Sequence, residues 1–413
     1  MVGTGGNAGT RADGPRLTVP FGVAVVAVFL AALNLRPAIA SLGVVIADIT
    51  EHFGAGGATA GILTALPGFC FALFGIAAVP LARRIGLTAT MCVGMVISLI
   101  GVGLRPWVGH IWVFILLTGF VVAGIAVANI LLPAWIKRHG GRHIVMLTTT
   151  YTAVLGLGGA LGPLSALLFD GPGAWQWILF LWVFAAAAQL LLWLPLLRRT
   201  GNDFPRGTPP EPGAGRGPRL WRSPTAVALM LFFGMQSMNA YIQMGWLPTM
   251  LIDAGVDLGR ASVAVSLLGL TGLLGGLVVP TLIARFRRFE LFPPLFALLS
   301  VCGYLGVMLA PAQAWFLWAL LLGLGGFCFP TALALIPSRT VSPEITARLS
   351  GFVQPIGYLF AGVGPLLVGA AYDALGGWTV ILMVLILTAV FMGAIGFRAA
   401  RNHTVDDELA AAA

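Results

Sequence analysis

Charge is scarce in this sequence, and lysine is almost missing. Only 9% of the 413 residues are charged, and Lys137 is the single lysine. A water-soluble domain of this length cannot cover its surface with so few charged groups. The lone lysine lies in Ile136-Lys137-Arg138, outside any GxxxxGK[ST] phosphate loop, which excludes ATP-driven chemistry of that kind. An HExxH pair, a nucleophile elbow and a clustered His/Cys/Asp set are also missing, so no enzyme activity and no cofactor are expected. The four cysteines, Cys70, Cys92, Cys302 and Cys328, fall in apolar stretches without metal-ligand spacing and read as small apolar-site residues.

What the chain has in abundance is apolar sequence: 59% hydrophobic residues and a mean hydropathy of +0.97. Apolar stretches long enough to cross about 30 Å of hydrocarbon recur along nearly its whole length. The first follows a polar tail, outruns a signal-peptide core and contains Arg36, so it does not read as a cleaved leader. Spans are expected near 20–47, 57–81, 87–104, 110–134, 144–169 and 174–197. A second set is expected near 225–251, 260–284, 290–310, 313–337, 346–370 and 376–398. The Pro-, Gly- and Arg-rich stretch 198–224 reads as the one long linker, with tails at 1–19 and 399–413. The fold class is therefore an all-α integral membrane protein with twelve transmembrane helices, in six-helix bundles at 20–197 and 225–398.

The charges that are present choose an orientation. With the N-terminus in the cytoplasm, 20 of the 23 basic residues fall inside, Arg105 and Arg260 fall outside, and Arg36 lies within a span. That asymmetry is the positive-inside pattern. It places both termini and the linker in the cytoplasm of a bacterial inner-membrane protein. It also accounts for the net charge of +9 and the pI near 10.2 without nucleic acid, since the cations are spread over every inner loop.

A shift of 202 positions lays Asn34 on Gln236, Ser41 on Gln243, Gly43 on Gly245 and Gly162-Pro163 on Gly364-Pro365. With equal helix numbers on either side of the linker, these matches indicate two pseudo-symmetric halves. Helices 1, 4, 7 and 10 are then expected to line a central cavity.

Arg36, in Leu33-Asn34-Leu35-Arg36-Pro37-Ala38, is the most informative residue. A guanidinium that deep costs about 2.5–3.5 kcal/mol or more unless it faces water, a counter-charge or a ligand. Pro37 removes a helix hydrogen bond and frees a carbonyl near Leu33. Ala40 and Gly43 are expected to leave room beside the guanidinium. Arg36 can hold an anionic or acceptor-rich substrate with its planar fork, or tie down carbonyls; the first role is taken here. In helix 7, Gln236, Asn239 and Gln243 share one face, with Tyr241 and Trp246 read as flanking it. These amides must point inward, to bind substrate or to bond neighbouring helices. Gln354 and Tyr358 share a face in helix 11, and Asn34, Asn129 and Tyr151 complete the candidate substrate-binding set. Gly158 and Gly162 one turn apart suit close helix packing. All fourteen acidic residues fall near span ends, in loops or in tails, so no mid-membrane carboxylate is available for proton coupling.

Several stretches resemble the cyanate porter/2-nitroimidazole transporter family of major facilitator proteins. They are Leu33-Asn34-Leu35-Arg36-Pro37, then Asn129-Ile130-Leu131-Leu132-Pro133 with Ile136-Lys137-Arg138, and then Ala347-Arg348-Leu349-Ser350-Gly351 with Gln354 and Gly357-Tyr358. Val363-Gly364-Pro365-Leu366-Leu367-Val368-Gly369 is the fourth. The resemblance implies the major facilitator fold, alternating access, and a monomer carrying a small-molecule substrate, such as cyanate or a nitroimidazole, through the lipid bilayer. The superfamily's GxxxDRxG loop is altered here, with Arg83-Arg84-Ile85-Gly86 placing arginine where the aspartate belongs. Its antiporter pattern keeps Gly158, Gly162 and Pro163 but lacks the closing glycine pair, so a proton-antiporting exporter of drugs or toxic metabolites is the alternative expectation.

Overall fold

The computed structural model describes residues 19–204, 220–286 and 288–411. Most of the expected N-terminal tail and of the 198–224 linker, and Arg11, Arg16, Arg206, Arg216, Arg219 and Arg287, lie outside them. Among the described residues, twelve helices are long and apolar enough to cross a membrane, close to the expected spans, and no strand occurs. In the first half these are α1 (Phe21–Val44), α2 (Gly57–Ile85), α3 (Leu87–Leu104), α4 (Ile111–His139), α5 (Ile144–Leu164) and α6 (Ala174–Thr200). The second half comprises α7 (Pro224–Asp253), α8 (Leu258–Arg285), α9 (Phe292–Leu309), α10 (Trp315–Ser338), α11 (Pro343–Leu375) and α12 (Thr379–Ala400). A short helix, α13 (Val405–Ala411), follows.

Small residues let the two bundles meet. Gly43 of α1 packs on the Met244 carbonyl and the Gly245 Cα of α7, leaving no space for a side chain. Gly43 and Gly245 are the pair matched by the 202-residue shift, so the helices cross at equivalent positions, as a pseudo-twofold axis requires. Gly61 meets Gly369 and Gly68 meets Gly362 between α2 and α11, while Gly159 meets Gly269 between α5 and α8. Ser266 Oγ donates to the Ala160 carbonyl at 2.9 Å across that last contact.

The end bearing α1's first residue and α12's last is rich in arginine; the opposite end carries most of the exposed acids. At this acidic end Asp373, near the close of α11, accepts the Gly57 and Ala58 N–H groups at 2.6 Å each. Those donors are among the four that a helix start leaves unpaired, so the carboxylate caps α2 from the other bundle. Asp253 is held beside it by the Tyr372 hydroxyl (2.7 Å) and Trp378 Nε1 (2.8 Å).

The basic end is stapled within each bundle. Asp203, just past α6, is buried at the start of α3, accepting the Thr88 N–H at 3.1 Å and the Thr88 hydroxyl at 2.6 Å. His139 Nε2 lies 2.9 Å from the same carboxylate, and Trp135 Nε1 donates to the Thr88 hydroxyl. Burial pushes the Asp203 carboxyl up, but bonds from His139 and Thr88 outweigh it and hold it below the usual carboxylate range. In the second bundle the expected C-terminal tail is instead docked: Glu408 of α13 accepts from the Ser223 and Thr225 hydroxyls and the Thr225 N–H at 2.6–2.9 Å.

Arg105 departs from its expected place in an outer loop. It is wholly buried at the C-terminal end of α3, where a helix favours a cation. Its Nη2 donates to the Ala38 carbonyl of α1 at 3.0 Å, while Nε and Nη1 have no partner among the described residues.

Candidate functional site

α1 is not one helix. It runs as Phe21–Leu33 and Pro37–Val44, with Asn34, Leu35 and Arg36 between them out of helical register. Pro37 explains the break, since it has no N–H to give to Leu33 and sits well at a first helical position. Arg36 caps the second piece with φ −124° and ψ −41°, and its carbonyl accepts from Ile39 and Ala40. Asn34 spends its amide hydrogens on the Leu30 carbonyl at 2.8 Å and on Ala185 of α6 at 3.1 Å. It anchors the break to the bundle rather than facing the cavity with a free donor.

The guanidinium of Arg36 lies near the Tyr241 hydroxyl on α7 and acts on it electrostatically. Its charge also reaches Tyr151 of α5 and Tyr358 of α11, so one cation lies near tyrosines of both bundles. Tyr151 donates to Asn129 Oδ1 of α4 at 3.2 Å, joining two further candidates to this group. Tyr358 stacks on Phe71 of α2, ring centroids 5.2 Å apart, and meets Phe233 edge-on at 5.4 Å. No carboxylate pairs with Arg36 among the described residues.

Two expectations about the surroundings need correction. Gly43 and Ala40 do not leave room beside the guanidinium; α7 backbone fills the first position, and Ala40 lies against Gly162 of α5. Tyr241 does not flank the amide stripe of α7. At about 100° per residue it lies about 140–160° from Gln236, Asn239 and Gln243, on the opposite face. The stripe faces its own bundle instead: Gln243 Nε2 donates to the Tyr304 hydroxyl at 3.0 Å, and that hydroxyl donates to Asn239 Oδ1 at 2.8 Å. Gln236 is buried with no hydrogen-bond partner among the described residues. Trp246, on the stripe side, donates to the Pro365 carbonyl of α11.

Gln354 lies one turn of α11 from Tyr358, towards the basic end. It lines a cavity of about 600 Å³ between α10 and α11 that opens there. The aromatic and hydroxyl neighbours of Arg36, with Phe71 and Tyr304, were not all predictable from sequence. Phe71 gave no signal in an apolar helix. The face of Tyr241, by contrast, was readable from its spacing.

Twelve spans in two equivalent bundles, crossing at matched glycines, with a half-buried arginine at the break of α1, form the frame of a solute carrier. The sequence profile described as Major Facilitator Superfamily matches residues 24–365. The chain belongs to that superfamily. The uncharacterized transporter YycB of Bacillus subtilis is 32% identical to it, over 92% of this chain and 94% of that one. A 2-nitroimidazole transporter of Escherichia coli is 31% identical, over 93% and 96%. The cyanate transport protein CynX of the same organism is 26% identical, over 84% and 90%. Among solved structures, a bacterial homologue of the lysosomal transporter Spinster superposes with a TM-score of 0.73 at 18% identity, covering 92% of this chain and 97% of that one. As a member of the superfamily, the chain is a multi-pass membrane protein that transports small solutes.

Proposed function

We propose that this facilitator carries a small anionic or acceptor-rich solute, cyanate-like or nitroimidazole-like, across the bacterial inner membrane by alternating access. It works as a monomer, with both termini and the linker in the cytoplasm. The observation that carries this reading is Arg36 at the break of α1, near tyrosines of both bundles and paired with no carboxylate among the described residues. A permanently charged five-donor fork without an internal counter-ion favours a ligand that brings negative charge or lone pairs. The Tyr241 and Tyr358 hydroxyls, from the opposite bundle, can contact the same ligand and so sense its presence across the interface. The relatives named as carrying 2-nitroimidazole and cyanate, both compact and acceptor-rich, support the same class.

The orientation rests on the arginine-rich end, which then faces the cytoplasm. A second reading, an exporter driven by proton antiport, draws on the kept Gly158 and Gly162-Pro163. In the structure these small residues pack on Pro37 at the α1 break, which suffices to explain them.

The test is flux into proteoliposomes with cyanate and 2-nitroimidazole. Arg36→Lys keeps the charge and loses the planar fork, so uptake should fall severely at unchanged protein abundance. Normal transport by the variant would remove the bidentate role. Disappearance of the variant from the membrane would assign Arg36 to folding instead.

A further inference from the structure

From the basic mouth towards Arg36, every fourth residue of α11 is polar: Thr346, Ser350, Gln354 and Tyr358. In a helix that spacing places one polar group every turn, about 6 Å apart along the axis. The first three line the 600 Å³ cavity, whose facing wall is formed by the apolar side chains Leu333 and Ile336 of α10. The fourth lies in the field of Arg36. Among the described residues, no carboxylate lines the cavity.

The bonds already made leave donors to spare on Ser350 and Gln354. Gln354 Nε2 gives one hydrogen to Ser350 Oγ at 2.6 Å and has a second. Ser350, accepting there, keeps its own hydroxyl proton. Thr346 spends its one hydroxyl proton on the Ser342 carbonyl at 2.9 Å or on the Thr340 hydroxyl at 2.6 Å, so it lines the cavity without a spare donor. An anion leaving Arg36 must exchange guanidinium hydrogen bonds for water over a stretch of protein. Neutral donors at one-turn intervals allow that exchange one bond at a time, and they bind an anion more weakly than a guanidinium does, so they do not trap it.

We propose that Ser350 and Gln354, one turn above Thr346, form a low-affinity anion subsite, through which the solute passes between Arg36 and the cytoplasm. The proposal rests on the anionic reading of the Arg36 site.

Its test needs no knowledge of the natural solute. In a full-length chain lacking its four cysteines, Thr346→Cys and Ser350→Cys are near-isosteric changes. Inside-out vesicles are treated with an anionic methanethiosulfonate (sulfonatoethyl) and a cationic one (trimethylammonioethyl), each rate divided by that for a small free thiol. Both positions should react, with the anionic reagent favoured at least tenfold, and Arg36→Gln should collapse that preference. Unreactive thiols at both positions would overturn the route and leave the Arg36 site standing. Reactive thiols without anion preference would overturn the anionic character of route and site together. As a second measurement, Ser350→Ala should slow efflux several-fold without moving the ligand-induced Tm shift. Unchanged efflux would also overturn the proposal.

Discussion

Arg105 donates to the carbonyl of Ala38 at 3.0 Å, two residues beyond Arg36 in the second piece of α1. It holds the outer side of the break, as Asn34 holds the inner side through Ala185. Both are fastened to the first bundle, so the break cannot straighten without losing a buried bond. The arrangement keeps Arg36 aimed at the bundle interface.

Arg105→Met should therefore separate stability from transport. The arginine is a buried charge with two unsatisfied donors, and a flexible apolar side chain of similar length removes that penalty. The Tm should stay level or rise, while transport falls at least tenfold because Ala38 loses its tether. A fall in Tm matched by a proportional loss of protein, with normal flux per molecule, would make Arg105 a structural prop only.

The two faces of α7 predict opposite outcomes for two similar changes. Tyr241→Phe removes a hydroxyl from Arg36, so solute affinity should drop by about tenfold, the equivalent of about 1.4 kcal/mol, with little change in Tm. Tyr304→Phe leaves the Asn239 and Gln243 amides short of a partner, so Tm should fall while affinity holds. Isothermal titration and thermal unfolding on both variants decide it; the reverse pattern would return the amide stripe to the binding site.

Much of this frame was legible in the sequence. Hydropathy gave the spans, because every apolar run had to be buried in lipid or protein. Pro37 marked a lost hydrogen bond in the first span, though not its division into two helices. The misreadings have a common origin: they concern which neighbour a side chain meets. Gly43 signalled room, yet in the fold small size serves to admit another backbone. Arg105 follows a helix end and precedes Pro106, a pattern shared by ordinary loops, and only tertiary packing buries it. Asp203 and Glu408 lie in polar segments whose sequence does not say which helix start they will cap.

Topology can be checked with single cysteines in a cysteine-free chain. Gly201 and Gly255 sit at φ +57° and +86°, where any side chain strains the backbone, so the exposed Arg199 and Glu51 are the better sites. An impermeant thiol reagent added to intact cells should label Glu51→Cys and spare Arg199→Cys. Labelling of the second alone would invert the orientation.

Asp373 closes the acidic end across the two bundles, so Asp373→Asn should favour states open on that side. Thr64 is a suitable reporter: it is buried under Gly245 at the seal. Thr64→Cys should be labelled from outside about tenfold faster when Asp373 is replaced, given that bonds to charged acceptors contribute roughly 1.5–3 kcal/mol. An unchanged rate would mean that glycine packing alone sets the closure.

Proton coupling, where present, should not depend on a carboxylate in the membrane interior. Asp48 is the nearest acid beyond α1 in sequence; burial, with Glu51 adding to it, pushes its carboxyl above the usual range. A raised pKa means that it takes up a proton at a higher pH than an ordinary aspartate, so it is the group to test. Asp48→Asn should leave gradient-driven uptake in vesicles intact. Abolished uptake with surviving counterflow would place coupling there.

The seal at Asp373 also bears on how such a carrier can be blocked. In this conformation the acidic end is shut, so a competitor arriving from that side meets the binding groups only after the seal has opened, however well it fits them. One arriving at the basic end needs no such opening. On the proposed orientation that end faces the cytoplasm, so weak acids that enter cells uncharged and ionise within should act sooner than impermeant analogues of equal affinity.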